Sequence, residues 1–215
     1  MTDIYPEYFK GFSSVEETLK KFRISFLTFD QHYQKAVDIL ADHGWYVSNT
    51  MLVGDILASA LKAINKDGSA VNNQMTRFYN SELKSIIKNI SSLYPERKEI
   101  FKEALTCHIQ KKYHASTLIF LSQCDGICDG KMFKIKNNKK ALKEFLPSKQ
   151  SFLNNPLVKI RGIDSSIDQA HLFNSDLNRH KVIHGHDTHF GTKTNSFKAL
   201  SLLNYVCEIV HRQTY

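Results

Sequence analysis

The chain has 215 residues, with 29 Lys and Arg against 21 Asp and Glu, for a formal charge of +8. Apolar residues make up 42% and charged residues 23%, which excludes a disordered chain and a coiled coil, and the length suffices to bury a core without disulfides or metals. Only 4 Pro and 9 Gly leave few chain breakers for a many-turned β fold, so the expectation is an all-α helical bundle.

The N-terminus, MTDIYPEYFK, is acidic before it is basic and lacks the apolar core of a secretory signal. Ser13 and Ser14, followed by Glu16 and Glu17, read as a helix start. A helix is predicted from about Asp30 to Asp42, stopped by Gly44, and Trp45 is read as a packing anchor. Apolar residues at three/four spacing predict further helices at about Thr50 to Ile64 and Ser69 to Ser92, separated by an Asp67-Gly68 turn. Pro95 suits a first helical position, where its missing N–H is no loss, and a helix should run from there to about Lys111. The next spans about Tyr113 to Cys128. A lysine-rich stretch with one short helix (about Lys139 to Phe145) follows, then the breakers Pro147, Pro156 and Gly162. The last predicted elements are a helix containing Asp176 to His184, a loop at Gly185 to Lys193, and a helix from about Asn195 to Arg212. A boundary near residue 93 divides an N-terminal helical region, 1–92, from a C-terminal bundle, 93–215.

Cys107, Cys124, Cys128 and Cys207 fall inside predicted helices rather than at loop spacings, and no run of about 18 apolar residues occurs. These features describe a cytoplasmic protein with reduced thiols and no membrane span. Cys124 and Cys128 are read as small packing residues, and Phe78, Phe101, Phe120 and Phe197 as core.

Positive charge is concentrated. Between Lys131 and Lys149 seven lysines, among them Lys131, Lys134, Lys136, Lys139 and Lys140, face one acid, Glu144. Such a run is commonly a solvated face and is also what phosphate-backbone binding needs. At about 100° per residue from His114, Asp125 falls near 20°, within a stripe containing Leu118 near 40° and Leu121 near 340°. A carboxylate on a core seam needs a partner. Arg179 leaves its helix between Val182 and Ile183, so an Asp125–Arg179 pair or shared pocket is expected. The alternative reading of that pair is a buried ion pair that only fixes helix packing.

Four of the chain's 10 histidines lie between residues 180 and 189. His180 and His184 have the i, i+4 spacing of metal ligands, but HKVIH lacks the Glu of a zinc-protease helix, so no metal or cofactor is assigned. Imidazole also serves general acid–base chemistry, and a neighbouring Arg can stabilise charge developing on phosphate.

Arg179-x4-His184 matches the R-x4–6-H spacing of the HEPN superfamily. Lys112 to Leu118 running into Leu121 to Ile127 resembles the helix preceding that motif, which carries an acidic residue. Leu177 to Gly185, Phe190-Gly191-Thr192 and Asn195 to Leu200 are similar to uncharacterised bacterial HEPN-like, abortive-infection-type proteins. The resemblance covers about residues 93 to 215. It implies a four-helix core that forms a homodimer, and a metal-independent endoribonuclease acting in phage defence or as the toxin of a toxin–antitoxin pair. Carried over, Arg179 and His184 are the active pair and Asp125 supports them. His180 stands where relatives have Asn or another polar residue. RNA is the implied partner, with the lysines on its backbone and an antitoxin or other regulatory protein as a further partner. The alternative is a non-catalytic HEPN-like module that binds RNA, a nucleotide or a protein.

Overall fold

The computed structural model describes residues 29–130, 132–133 and 161–211. These are helices and connecting segments, with no strand among the described residues, so the protein is all-α. The helix α1 covers 29–42, α2 Val53–Ile64, α3 Gly68–Leu93, α4 Lys98–Ile109, α5 Tyr113–Ile127, α6 the single turn Arg161–Asp164, α7 Arg179–Ile183 and α8 Lys193–His211. Short 3-10 helices lie at Pro95–Arg97 and Ile167–Leu172. The predicted Ser13–Ser14 start, the Lys139–Phe145 helix and lysines 131, 134, 136, 139 and 140 lie outside the described residues.

The local signals act where expected. Asp67 caps α3 by accepting from the Ala70 N–H at 2.9 Å, and α3 buries Val71, Met75, Tyr79, Leu83, Ile86, Ile87 and Ile90 at three/four spacing. Pro95 opens a turn, but a 3-10 one, and the α-helix proper begins at Lys98. α4 ends at Ile109, and Lys111 takes a left-handed backbone (φ 59°) before α5.

The helix α8 occupies the middle, packed on α5 and α3, while α3 also packs on α2 and α4, and α4 on α5. Every residue of α8 from Asn195 to Ile209 is buried, the condition of a helix surrounded on all sides. The segment Trp45-Tyr46-Val47 is fully buried as well. Trp45 Nε1 donates to Asn72 Oδ1 at 2.9 Å and its ring stacks on Tyr79, the Tyr46 N–H donates to Ser201 Oγ at 3.3 Å, and the Tyr79 hydroxyl donates to the Tyr46 carbonyl. The α1–α2 connection is thereby threaded into the core, and one apolar cluster includes residues from both sides of position 93.

Because α8 is central, its polar residues can find partners only within the protein. Ser196 Oγ bonds His108 Nδ1 at 2.8 Å and Ser116 Oγ at 2.7 Å. Glu208 accepts from Asn204 Nδ2 at 2.7 Å, from the Asn49 N–H at 3.2 Å and from Ser48 Oγ at 3.3 Å. Cys124, Cys128 and Cys207 are free, buried thiols that burial pushes up in pKa, Cys128 to about 12, so they serve as packing groups. Phe101, Phe120 and Phe197 are fully buried, and Phe78 packs half-buried against the cluster. No helix among the described residues is long and apolar enough to cross a membrane.

Candidate functional site

α7 is shorter than the periodicity suggests. Residues 176–178 are not helical, and the helix begins at Arg179 because Asn178, extended at φ −125° and ψ 117°, is its N-cap. The Asn178 side chain accepts from the Lys181 N–H at 3.0 Å while its Nδ2 donates to the Ser165 carbonyl at 3.0 Å and to Ser165 Oγ at 2.9 Å. One buried amide thus starts α7 and ties it to the residue after Asp164. Gly162 fixes the other side of that link: a Cβ there would lie 2.6 Å from the Ala41 carbonyl oxygen, so α6 packs directly on the C-terminal end of α1.

These two contacts place Asp164 beneath the motif. Asp164 is fully buried, and its Oδ1 accepts from Arg179 Nε at 2.9 Å and lies 3.2 Å from His180 Nε2. Arg179 and His180 keep 20% and 30% of their side-chain surface exposed. The Arg179 guanidinium also lies 4.1 Å from the centroid of the Phe133 ring, and its Nη2 is 3.4 Å from His180 Nε2. His184, the C-cap of α7, is exposed, and its ring stacks on that of His180 with centroids 6.1 Å apart and planes 12° from parallel. Arg179, His180 and His184 are therefore together, backed by a carboxylate and open to water.

Asp125 is not part of this arrangement. The partner of Arg179 is Asp164, and the half-buried Asp125 has a buried Oδ1 without a hydrogen-bond partner. Leu118 is 37% exposed and His114 is exposed, so the stripe drawn through them is the edge of α5 rather than its buried face. The buried residues, Ser116, Thr117, Phe120, Leu121, Cys124 and Ile127, span an arc of about 200° to 340° on the same wheel. Two hydroxyl residues hide that face from a reading based on hydrophobicity, because their partners sit on α8. Likewise Val182 is 5% exposed but Ile183 is 49% exposed, so Arg179 lies at the edge of the apolar side of α7.

Sequence reasoning missed Asp164, treating its neighbourhood as a breaker region. The signal available was Gly162 two residues before an acid, which gains meaning only once α1 is seen against it. The loop after α7 is clamped by His114, whose ring meets Phe190 edge-on at 4.8 Å and whose Nε2 lies 3.3 Å from the Thr188 carbonyl. A Cβ on Gly191 would collide with that ring, which accounts for the glycine. Among the described residues, no three His, Cys, Asp or Glu side chains are placed to hold a metal ion. Chemically the site offers two imidazoles for proton transfer and a cation for phosphate charge. No protein-family model, curated protein or solved structure matches this chain.

Proposed function

We propose that the protein is a metal-independent endoribonuclease of the HEPN type, with Arg179 and His184 as the active pair. The observation that carries this reading is the grouping of Arg179 with two stacked imidazoles, His180 and His184, on one solvent-reachable turn. Cleavage by internal attack needs a base to take the 2′-OH proton, an acid to protonate the leaving 5′-oxygen, and a cation to stabilise the pentacoordinate phosphorane. His184 supplies one proton transfer. The second comes from His180, or from His184 of a second copy across a twofold axis. Arg179 holds the phosphorane charge. Asp164, by accepting from Arg179 Nε and facing His180 Nε2, orients both. DNA lacks the 2′-OH, so the substrate class is RNA. Phe133, in contact with Arg179, is flanked in sequence by the run that includes Lys131, Lys134, Lys136, Lys139 and Lys140, the groups assigned to the RNA backbone.

The test is incubation of homogeneous protein with RNA in EDTA. The expected outcome is product ending in a 2′,3′-cyclic phosphate, with Arg179→Ala and His184→Ala each slower by about 100-fold or more, the scale of a lost acid–base or charge-stabilising group. Undiminished cleavage by either variant overturns the assignment. A second reading, a non-catalytic module that binds RNA, draws on the engagement of Arg179 by both Asp164 and Phe133, which suits a packing role. It predicts salt-dependent binding without product and without dependence on His184. Homodimer formation, phage defence and control by an antitoxin belong to this proposal too, and sedimentation of the intact chain tests the first of them.

A further inference from the structure

Beside the motif, but not lined by Arg179, His180 or His184, is a cleft of about 480 Å³. Its lining includes His171, in the 3-10 helix Ile167–Leu172, and Asp176, together with Lys181, His186, Asp187 and His189. The loop after α7 is held here by its own backbone, since the His186 and Asp187 N–H groups both donate to the Lys181 carbonyl, at 2.8 and 3.1 Å. The lining is polar, which suits an ion or a phosphorylated ligand rather than an apolar one.

The second observation lies behind Asp176. Lys198 is fully buried in α8, and its Nζ has no hydrogen-bond partner. Its nearest charge is Asp176 Oδ2 at 3.8 Å, and the Trp45 ring centroid is 5.8 Å away. Asp176 is 73% exposed, so it does not seal the amine in a pair. A buried cation without hydrogen bonds is costly, and an anion taking the place of the Asp176 carboxylate would give it the bonds it lacks. Lys181 and Lys198 formally balance Asp176 and Asp187, and Asp187 Oδ1 is already held by the His189 N–H at 2.8 Å. His171, His186 and His189 add imidazole nitrogens that can donate to a bound oxyanion.

We propose that this cleft is a phosphate-binding site, separate from the Arg179–His184 face, that takes the phosphate of a nucleotide or of an RNA strand on Lys181, His186, His189 and Lys198. Burial holds the Lys198 amine down at about 8, and an anion beside it favours the charged form, so binding is accompanied by proton uptake at Lys198. The site does not depend on whether the chain cuts RNA.

The experiment uses the full chain carrying Arg179→Ala and His184→Ala, which removes the motif's own attraction for phosphate. Calorimetric titration with inorganic phosphate, AMP and a short 5′-hydroxyl oligoribonucleotide is carried out at pH 6 and pH 8. Phosphate and AMP should bind more tightly at pH 6. Adding Lys181→Ala and His186→Ala, both at solvent-reachable positions, should weaken binding by about tenfold or more, the loss of one or more charge-assisted hydrogen bonds. Lys198→Met should weaken it as well. Competition by the oligoribonucleotide assigns the site to an RNA strand, and its failure to compete assigns it to a free nucleotide. The proposal is overturned if neither phosphate nor AMP binds at pH 6, or if binding is unchanged by Lys181→Ala with His186→Ala.

Discussion

Asp164 and Asp125 are both carboxylates near the interior, and their surroundings give them opposite roles. Asp164 is fully buried and meets a guanidinium and an imidazole, so Asp164→Asn removes the charge both groups face. We expect a loss of about 2–3 kcal/mol in urea denaturation, below the 3–5 of a fully buried pair because Arg179 retains contact with water. Asp125 has a buried oxygen without a hydrogen-bond partner. Asp125→Asn should therefore be neutral within about 0.5 kcal/mol, or stabilising. Lys198 is a third case. Its amine is held from 10.5 down to about 8, by burial first and against the pull of Asp176. The unfolded chain takes up the proton below 10.5 and the folded one only below about 8, so folding loses stability as pH falls across that window and carries the full cost at neutral pH. Lys198→Met should raise stability at pH 7 by about 1–3 kcal/mol while weakening the proposed phosphate binding, a conflict that a purely structural lysine would not show.

At the scale of single elements, the motif turn is held by contacts outside itself. α7 has five residues, too few to be stable alone, and depends on Asn178 for its start and for its tie to Ser165. Asn178→Ala should cost about 1–2 kcal/mol from the lost cap, measured by thermal unfolding, and should slow the proposed RNA cleavage by letting Arg179 leave Asp164. The longer helices were legible because their own residues carry the signal: an Asp cap, three/four apolar spacing, a glycine or left-handed stop. α5 was legible as an element but not in phase, because Ser116 and Thr117 occupy its buried face. α7 was overextended because the chain before it is fixed by a side chain reaching across to α6, which no local pattern records.

For the molecule as a whole, α8 sets the pH limits. His108, buried in α4 against Ser196 and the Phe197 ring, is pushed down to about 4, by burial first and then by the nearby charge of Lys193. As pH falls below the imidazole's ordinary value of 6.5 the unfolded chain binds a proton that the folded chain refuses until about 4. Stability should therefore be unaffected by this group above that value and should decline by up to about 3 kcal/mol across the window. A melting series from pH 7.5 to 4, compared with His108→Asn, checks this; the variant should show a shallower acid limb.

The order of elements, the helical class and the grouping of Arg179 with His180 and His184 follow from residues close together in the chain, because hydrogen bonds within a helix and the burial of one face depend on neighbours three and four positions away. Which acid meets Arg179, which face of α5 is inside, and how Lys198 comes to stand behind Asp176 depend on residues far apart in the chain, through contacts such as Gly162 against Ala41 and Asn178 against Ser165. Those contacts exist only after the chain has closed around α8, where buried polar groups must find partners in space rather than along the backbone.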